Sequence, residues 1–402
     1  MAQDELKRTL GLFPATNIVI ANIIGAGIFT TSGLLMADLG SPALLIILWA
    51  VGGIIAICGA LSYGELGANM PEAGGEYMFL SRIFHPLLGF LSGWVSFIVG
   101  FSAPIAASAL GFGDYFIRAF PGLSEWITEN TFLGPGGSGK LFAVIVVLAF
   151  TLIHSRGISF GSKVQNILTL LKVLLVAGLI VAGLAFGRGN VENFSAANTL
   201  DGGLAGWKTI GLSLMWIMFA YSGWNASTYI GSEIKKPKLN LPGSLIIGTV
   251  LVIILYLLLN AVFVYAIPPG EMKGVISVGG LAMGNLFGPG AETVFSLLIA
   301  FALFSSLSAY IIIGPRVYYS MSRDGLFFKA VARIHEKYKV PVYSIYLQSL
   351  IAIIFILTGT FDQILTYMGF SLGIFPLLTI AGSFRIRRTG KIRTRIPGFP
   401  VP

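Results

Sequence analysis

The sequence predicts an all-α integral membrane protein of about ten spans, built as two five-helix halves that enter the membrane in opposite senses. Three observations lead there. Of the 402 residues, 55% are hydrophobic and 11% are charged, with a mean hydropathy of +0.85. A soluble domain carries roughly 25% charged residues, so the apolar surplus must face lipid. Apolar runs of spanning length, about 20 residues, recur along the whole chain. The charges between them segregate to one side.

The runs lie at 12–38, 42–69, 86–117, 140–155, 162–186, 206–232, 241–267, 291–321, 342–359 and 362–384. The third and eighth are long, which predicts tilt or extension beyond the bilayer. With a cytoplasmic N-terminus, the inner side holds Lys7 and Arg8, Arg82, Arg156 and Lys163, and Lys235, Lys236 and Lys238. Six more lie between Arg316 and Lys339, and six between Arg385 and Arg395, giving 20 in all. The outer side holds 5: Arg118, Lys140, Arg188, Lys208 and Lys273. Such an imbalance sets topology and predicts a multi-pass protein of the cell membrane. Five spans per half divide the chain into residues 1–187, 188–384 and a basic cytoplasmic tail, 385–402. The start, MAQDELKRTLGLF, reads as retained rather than as a cleaved signal. The Gly-rich outer stretches 134–139, 187–203 and 279–290 read as surface connections, and Glu72–His85 as an interfacial helix.

Composition excludes several classes. The net charge of +9 falls in short loops and forms no continuous basic face with interleaved aromatics, so nucleic acid is not a partner. One cysteine, Cys58, permits no internal disulfide. Three histidines without ligand spacing predict no metal site. No Ser/His/Asp set lies at one depth. An intramembrane enzyme is therefore not expected, and no cofactor is implied. A channel would need a continuous polar lining, which most runs lack.

Two runs contain Gly-rich interruptions at mid-depth: Ile23-Ile24-Gly25-Ala26-Gly27-Ile28-Phe29 in the first, and Phe219-Ala220-Tyr221-Ser222-Gly223-Trp224-Asn225 in the sixth. Gly25 and Gly27 alone would serve tight helix packing. Their pairing with a second interruption at the matching place of the other half marks an inverted repeat with broken helices. A break exposes N–H groups at one new helix end and C=O groups at the other, and both are costly in lipid unless they bind something. The N–H end suits a carboxylate and the carbonyl end an ammonium. Two facing breaks thus make a receptor for a zwitterion.

Four stretches in order resemble one family. They are Asn22–Phe29; Tyr63-Gly64-Glu65-Leu66-Gly67 with Met70–Tyr77; Phe219–Asn225 with Glu233–Pro237 and Asn240-Leu241-Pro242; and Arg316-Val317-Tyr318 to Arg323-Asp324-Gly325. The whole chain resembles the amino acid–polyamine–organocation superfamily, and within it the L-type amino acid transporter branch. That resemblance implies the leucine-transporter-type fold, with broken helices 1 and 6, and alternating access. It also implies sodium-independent exchange or facilitated transport of neutral L-amino acids. A proton-coupled symporter, or a non-transporting sensor or scaffold of the same fold, are the alternatives. Relatives usually have twelve spans. Ile396–Pro400 resembles the stretch before span eleven, so spans 11 and 12 are expected to be missing. Animal relatives join a heavy chain through a cysteine after span three. The stretch 120–140 has none, so no disulfide-linked heavy chain is expected.

The expected substrate site comprises Ile23, Gly25, Ala26, Gly27 and Ile28 of the first break, with Phe219, Ala220, Ser222 and Gly223 of the second. Phe219, at the start of the second break, is the candidate gate. No acid lies within either break, which favours neutral substrates. Lys172, ten residues into run five, lies about 15 Å deep and is a functional candidate by default. The resemblance places it where sodium-coupled relatives hold a cation, with Ser305, Ser306 and Ser308 as expected neighbours. Glu65 and Glu233, near inner helix ends, are expected to pair with basic residues of that side.

Overall fold

The computed structural model describes residues 6–130, 137–195, 203–288, 290–359, 364 and 373–388. Seven helices are long and apolar enough to cross a membrane among these residues. The first apolar run forms α1 (Leu12–Ile23) and α2 (Gly27–Leu39), separated by an unwound turn. Helix α3 (Pro42–Asn69) follows at once. Gly40 closes α2 with φ 59°, a conformation glycine adopts without a Cβ penalty, and Ser41 and Pro42 then start α3. Helix α4 (Glu76–Ile83) leads to the third span. There α5 (Pro86–Val95) and α6 (Ala103–Ala119) are joined by a π-helical stretch, Ser96–Ser102. After α7 (Pro121–Asn130) come α8 (Gly137–Ser155) and α9 (Ile158–Phe186).

The second half opens with α10 (Leu204–Tyr221), whose end gives way to 3-10 turns at Ala226–Tyr229 and Gly231–Glu233. Next are α11 (Pro237–Ala266), the single turn α12 (Pro269–Met272), α13 (Val278–Phe287), α14 (Ala291–Arg323), α15 (Val342–Thr358) and α16 (Ile374–Arg388). Of the tenth run, residues 374–384 belong to α16, and residues 362, 363 and 365–372 lie outside the described residues. So do most of the tail, residues 131–136 and residues 196–202.

The outer surface is apolar as well as the core. Ile54, Leu170, Leu174, Val181 and Leu258 are exposed, while Lys172, Glu233, Arg316, Ser305 and Ser306 are fully buried. Apolar side chains can face lipid at no cost, whereas polar groups must find partners inside the protein. Helix α3 lies close against the second half. A Cβ on Gly59 would come within 2.8 Å of the Trp224 ring, and one on Gly67 within 2.5 Å of Leu241. Small residues give this contact the close approach that membrane helices use in place of a hydrophobic driving force.

Two expectations are corrected. Glu72–His85 does contain a helix, but Tyr77, Met78, Phe79, Leu80 and Ile83 are buried. Its apolar residues therefore face protein neighbours and not the headgroups in which an interfacial helix buries its apolar face. The stretch 279–290 is not a plain connection either. Residues 278–287 form α13, which buries Val278, Gly279, Ala282, Met283 and Leu286. Gly279 lets the Phe295 ring approach to 2.0 Å of where a Cβ would stand, so the glycines serve packing there.

Candidate functional site

The two breaks meet. In the first, Ile24, Gly25 and Ala26 are non-helical, and Ile24, at ψ 92°, turns the chain out of α1. In the second, Ser222 has ψ 148° and Gly223 has φ +101°, a backbone that glycine alone adopts freely. A Cβ on Gly223 would lie 2.8 Å from the Asn22 carbonyl carbon, and one on Gly27 2.8 Å from the Ala220 Cα. Each break therefore needs its glycine so that the other can touch it.

A pin holds the pair. The Tyr256 hydroxyl of α11 donates to the Ile23 carbonyl (2.7 Å) and lies 3.2 Å from that of Ala220, so one side chain spans the C-terminal ends of α1 and α10. Each carbonyl has two lone pairs, so both keep an acceptor position. The opening N–H groups of α2 lack helical partners by geometry. Tyr310 donates to the Asn22 carbonyl (3.3 Å), and the buried Asn22 Oδ1 has no hydrogen-bond partner among the described residues.

A cavity of about 310 Å³ opens at this junction, with Asn22, Phe219, Ser222, Gly223, Asn225 and Tyr310 in its wall. That is within the size of small-molecule sites. A smaller pocket of about 40 Å³ adjoins it and is walled by Ile23, Gly25, Ala26, Gly27 and Ala220. Eight of the nine expected residues thus line one continuous region. The exception is the Ile28 side chain, which is fully buried in the apolar core, so this residue can offer only its N–H. Phe219 borders both spaces and packs edge-on against Trp216, with ring centroids 6.4 Å apart. Ser96, Gly100 and Phe101 of the π-helical stretch also line the cavity, a common place for this irregularity.

Lys172 stands at the centre of α9, fully buried. Its Nζ reaches the Ile24 carbonyl at 2.8 Å, the Ala21 carbonyl at 3.3 Å and the Ser306 hydroxyl at 2.8 Å. Three donors meet three acceptors, and the carbonyls are those of the negative end of α1. Ser306 in turn donates toward Ile24 (2.7 Å). Lys172 therefore fastens α9 and α14 to the first break.

The neighbouring serines do not share this role. The Ser305 hydroxyl is buried without a hydrogen-bond partner among the described residues, and Ser308 pairs with His154 at 2.8 Å. Consecutive helical residues differ in direction by about 100°, so Ser305 cannot face Lys172 when Ser306 does. This corrects the expectation for both.

The acids pair as expected. Glu233 receives two parallel hydrogen bonds from Arg316, Nε to Oε2 at 2.8 Å and Nη2 to Oε1 at 3.0 Å, with both side chains fully buried. Glu65 pairs with Arg387. The Glu233 carbonyl also accepts from the N–H groups of Thr9 and Leu10, each at 2.9 Å, which ties the N-terminal segment to the chain beyond the second break.

Sequence reasoning missed Tyr256 and Glu76. A hydroxyl in the middle of the 241–267 apolar run was the available signal for Tyr256. For Glu76, which lines the cavity, the available signal was its place in the family-resembling stretch Met70–Tyr77.

A family model described as amino acid permease matches residues 10–402. The b(0,+)-type amino acid transporter 1 of Mus musculus is 31% identical over 388 residues, covering 96% of this chain and 77% of that protein. That of Homo sapiens is 30% identical over 401 residues, covering 99% and 80%. The large neutral amino acids transporter small subunit 2 of Mus musculus is 30% identical over 393 residues, covering 95% and 71%. The chain belongs to the amino acid permease family, whose members are membrane transporters and not enzymes.

Proposed function

We propose that this protein is a secondary carrier of neutral L-amino acids, working by alternating access as a sodium-independent exchanger or facilitator. The observation that carries this reading is the contact of two broken helices over one cavity, with α2 offering N–H groups and the ends of α1 and α10 offering carbonyls. The substrate carboxylate sits on the N–H groups of Ala26, Gly27 and Ile28. Its ammonium meets the carbonyls around Ile23, Phe219, Ala220 and Ser222. The printed names of the relatives, amino acid transporters and a large neutral amino acids transporter subunit, support the substrate class. Lys172 and Ser306 supply at the first break the positive charge and the contacts that a bound cation would bring. The two halves, 1–187 and 188–384, are inverted repeats, each opening with its broken helix.

The protein resides in the plasma membrane with its N-terminus cytoplasmic, as the basic loops favour. It works without a disulfide-linked heavy chain, although one relative's name calls it a small subunit. Cys58 is on the exposed face of α3, in a span rather than in a loop, which supports this.

Uptake of radiolabelled amino acids into proteoliposomes tests the substrate class. Alanine, serine and leucine are taken up, and arginine more slowly. Faster arginine uptake overturns the reading. Phe219 closes the site, so Phe219→Ala should lose most transport yet insert and elute normally. Unchanged transport in a well-folded variant would remove Phe219 as the gate.

A further inference from the structure

Beyond the second break, the cavity wall reaches the first turn of α4, where Glu76 lies. The residue is 3% exposed. It accepts hydrogen bonds from the Tyr63 hydroxyl of α3 (2.8 Å), from Asn225 Nδ2 (2.5 Å) and from the Tyr229 hydroxyl. All three donors are neutral. The ion pairs among the described residues are Arg82–Glu72, Arg316–Glu233 and Arg387–Glu65, and none reaches Glu76. A buried carboxylate without a cation is costly, and neutral donors with the α4 N-terminus offset this only in part.

The hydrogen bonds also tie α4 to the unwound segment after α10, beside the bond from the Gly74 N–H to the Tyr229 carbonyl (3.1 Å). A glutamine would keep that tie, its oxygen accepting from two neighbours and its NH₂ group meeting the third. The tie therefore accounts for the side chain's length and burial but not for its being an acid rather than an amide. Side-chain donors take three of the carboxylate's about four acceptor positions, its own backbone N–H also points to it, and it borders a cavity.

Resting on the carrier reading above, we propose that Glu76 is an ammonium-accepting subsite of the cavity, holding the cationic nitrogen of the amino acid between the breaks and the face of the membrane that bears the basic loops. The connection containing Glu76 belongs to that face by its position between the second and third spans. The nitrogen is the α-ammonium that every amino acid carries, or the side-chain ammonium of one such as lysine. Lysine and norleucine distinguish these, because they share a carbon chain and differ by that terminal group.

The test uses the full chain in proteoliposomes, with substrate varied on either side and orientation set by protease cleavage of an N-terminal tag. In Glu76→Gln, the half-saturating norleucine concentration should rise roughly tenfold at the basic-loop face and stay unchanged at the other. A rise confined to lysine assigns the subsite to the side-chain ammonium and equally supports it. An equal change at both faces, or none, overturns the proposal, since a structural tie does not distinguish the faces. Should Glu76→Gln fail to fold, Glu76→Asp keeps the charge and withdraws it by one methylene. It should give a one-face rise of about threefold, and its absence overturns the proposal. Wild-type vesicles that take up neither amino acid overturn the carrier reading itself, and this subsite with it.

Discussion

Replacing Lys172 with methionine should reduce transport by roughly a hundredfold while the chain still inserts. The ammonium bridges two carbonyls of the first break and the Ser306 hydroxyl. Methionine is likewise unbranched, one atom shorter, and can donate nothing. Hydrogen bonds to a charged group each contribute about 1.5–3 kcal/mol, and each 1.4 kcal/mol is a factor of ten. The loss falls on transport because these bonds hold the unwound turn in the shape that exposes the α2 N–H groups. Size-exclusion elution and uptake, measured on the same preparation, separate this from unfolding. Full activity in Lys172→Met would take the lysine out of the mechanism.

The second large effect is on stability. In Arg316→Met the Glu233 carboxylate stays buried with its partner gone, and breaking a buried pair in this way costs about 3–5 kcal/mol. The Arg316 Nη1 bond to the Ile312 carbonyl (2.5 Å) is lost as well. Glu233→Leu combined with Arg316→Met removes both charges and should recover most of the loss, because an apolar pair of similar volume needs no counter-charge. Thermal unfolding in detergent reads both variants. A single variant within about 1 kcal/mol of wild type would mean that the pair is hydrated and not sealed as its burial indicates.

Much of this architecture was legible because lipid imposes a simple rule. Residues must be apolar over spanning lengths, and departures from that rule are informative. Gly25, Gly27 and Gly223 marked the breaks, and Lys172 stood out as a charge at depth. What hydropathy cannot read is which polar groups meet across the fold. Tyr256 spans Ile23 and Ala220, 233 and 36 residues away in sequence, and nothing local in 241–267 announces that. Ser305 and Ser306 are indistinguishable in sequence, and only the rotation of α14 selects Ser306. Glu76 stands in the stretch 72–85 that the sequence marks as an interfacial helix, and only the packing of α4 brings it to the cavity. The helical nature of 278–287 was hidden for a related reason: its glycines resemble a loop, but Gly279 serves close packing against Phe295.

The central claim is that two touching breaks carry a free neutral amino acid across the membrane without sodium. Counterflow tests it most directly. Proteoliposomes loaded with unlabelled leucine, in medium with choline in place of sodium, receive labelled alanine outside. The account predicts transient accumulation of label above its equilibrium level, lost in Lys172→Met. No accumulation in choline with full activity restored by sodium, or no response to internal leucine under either condition, would contradict it.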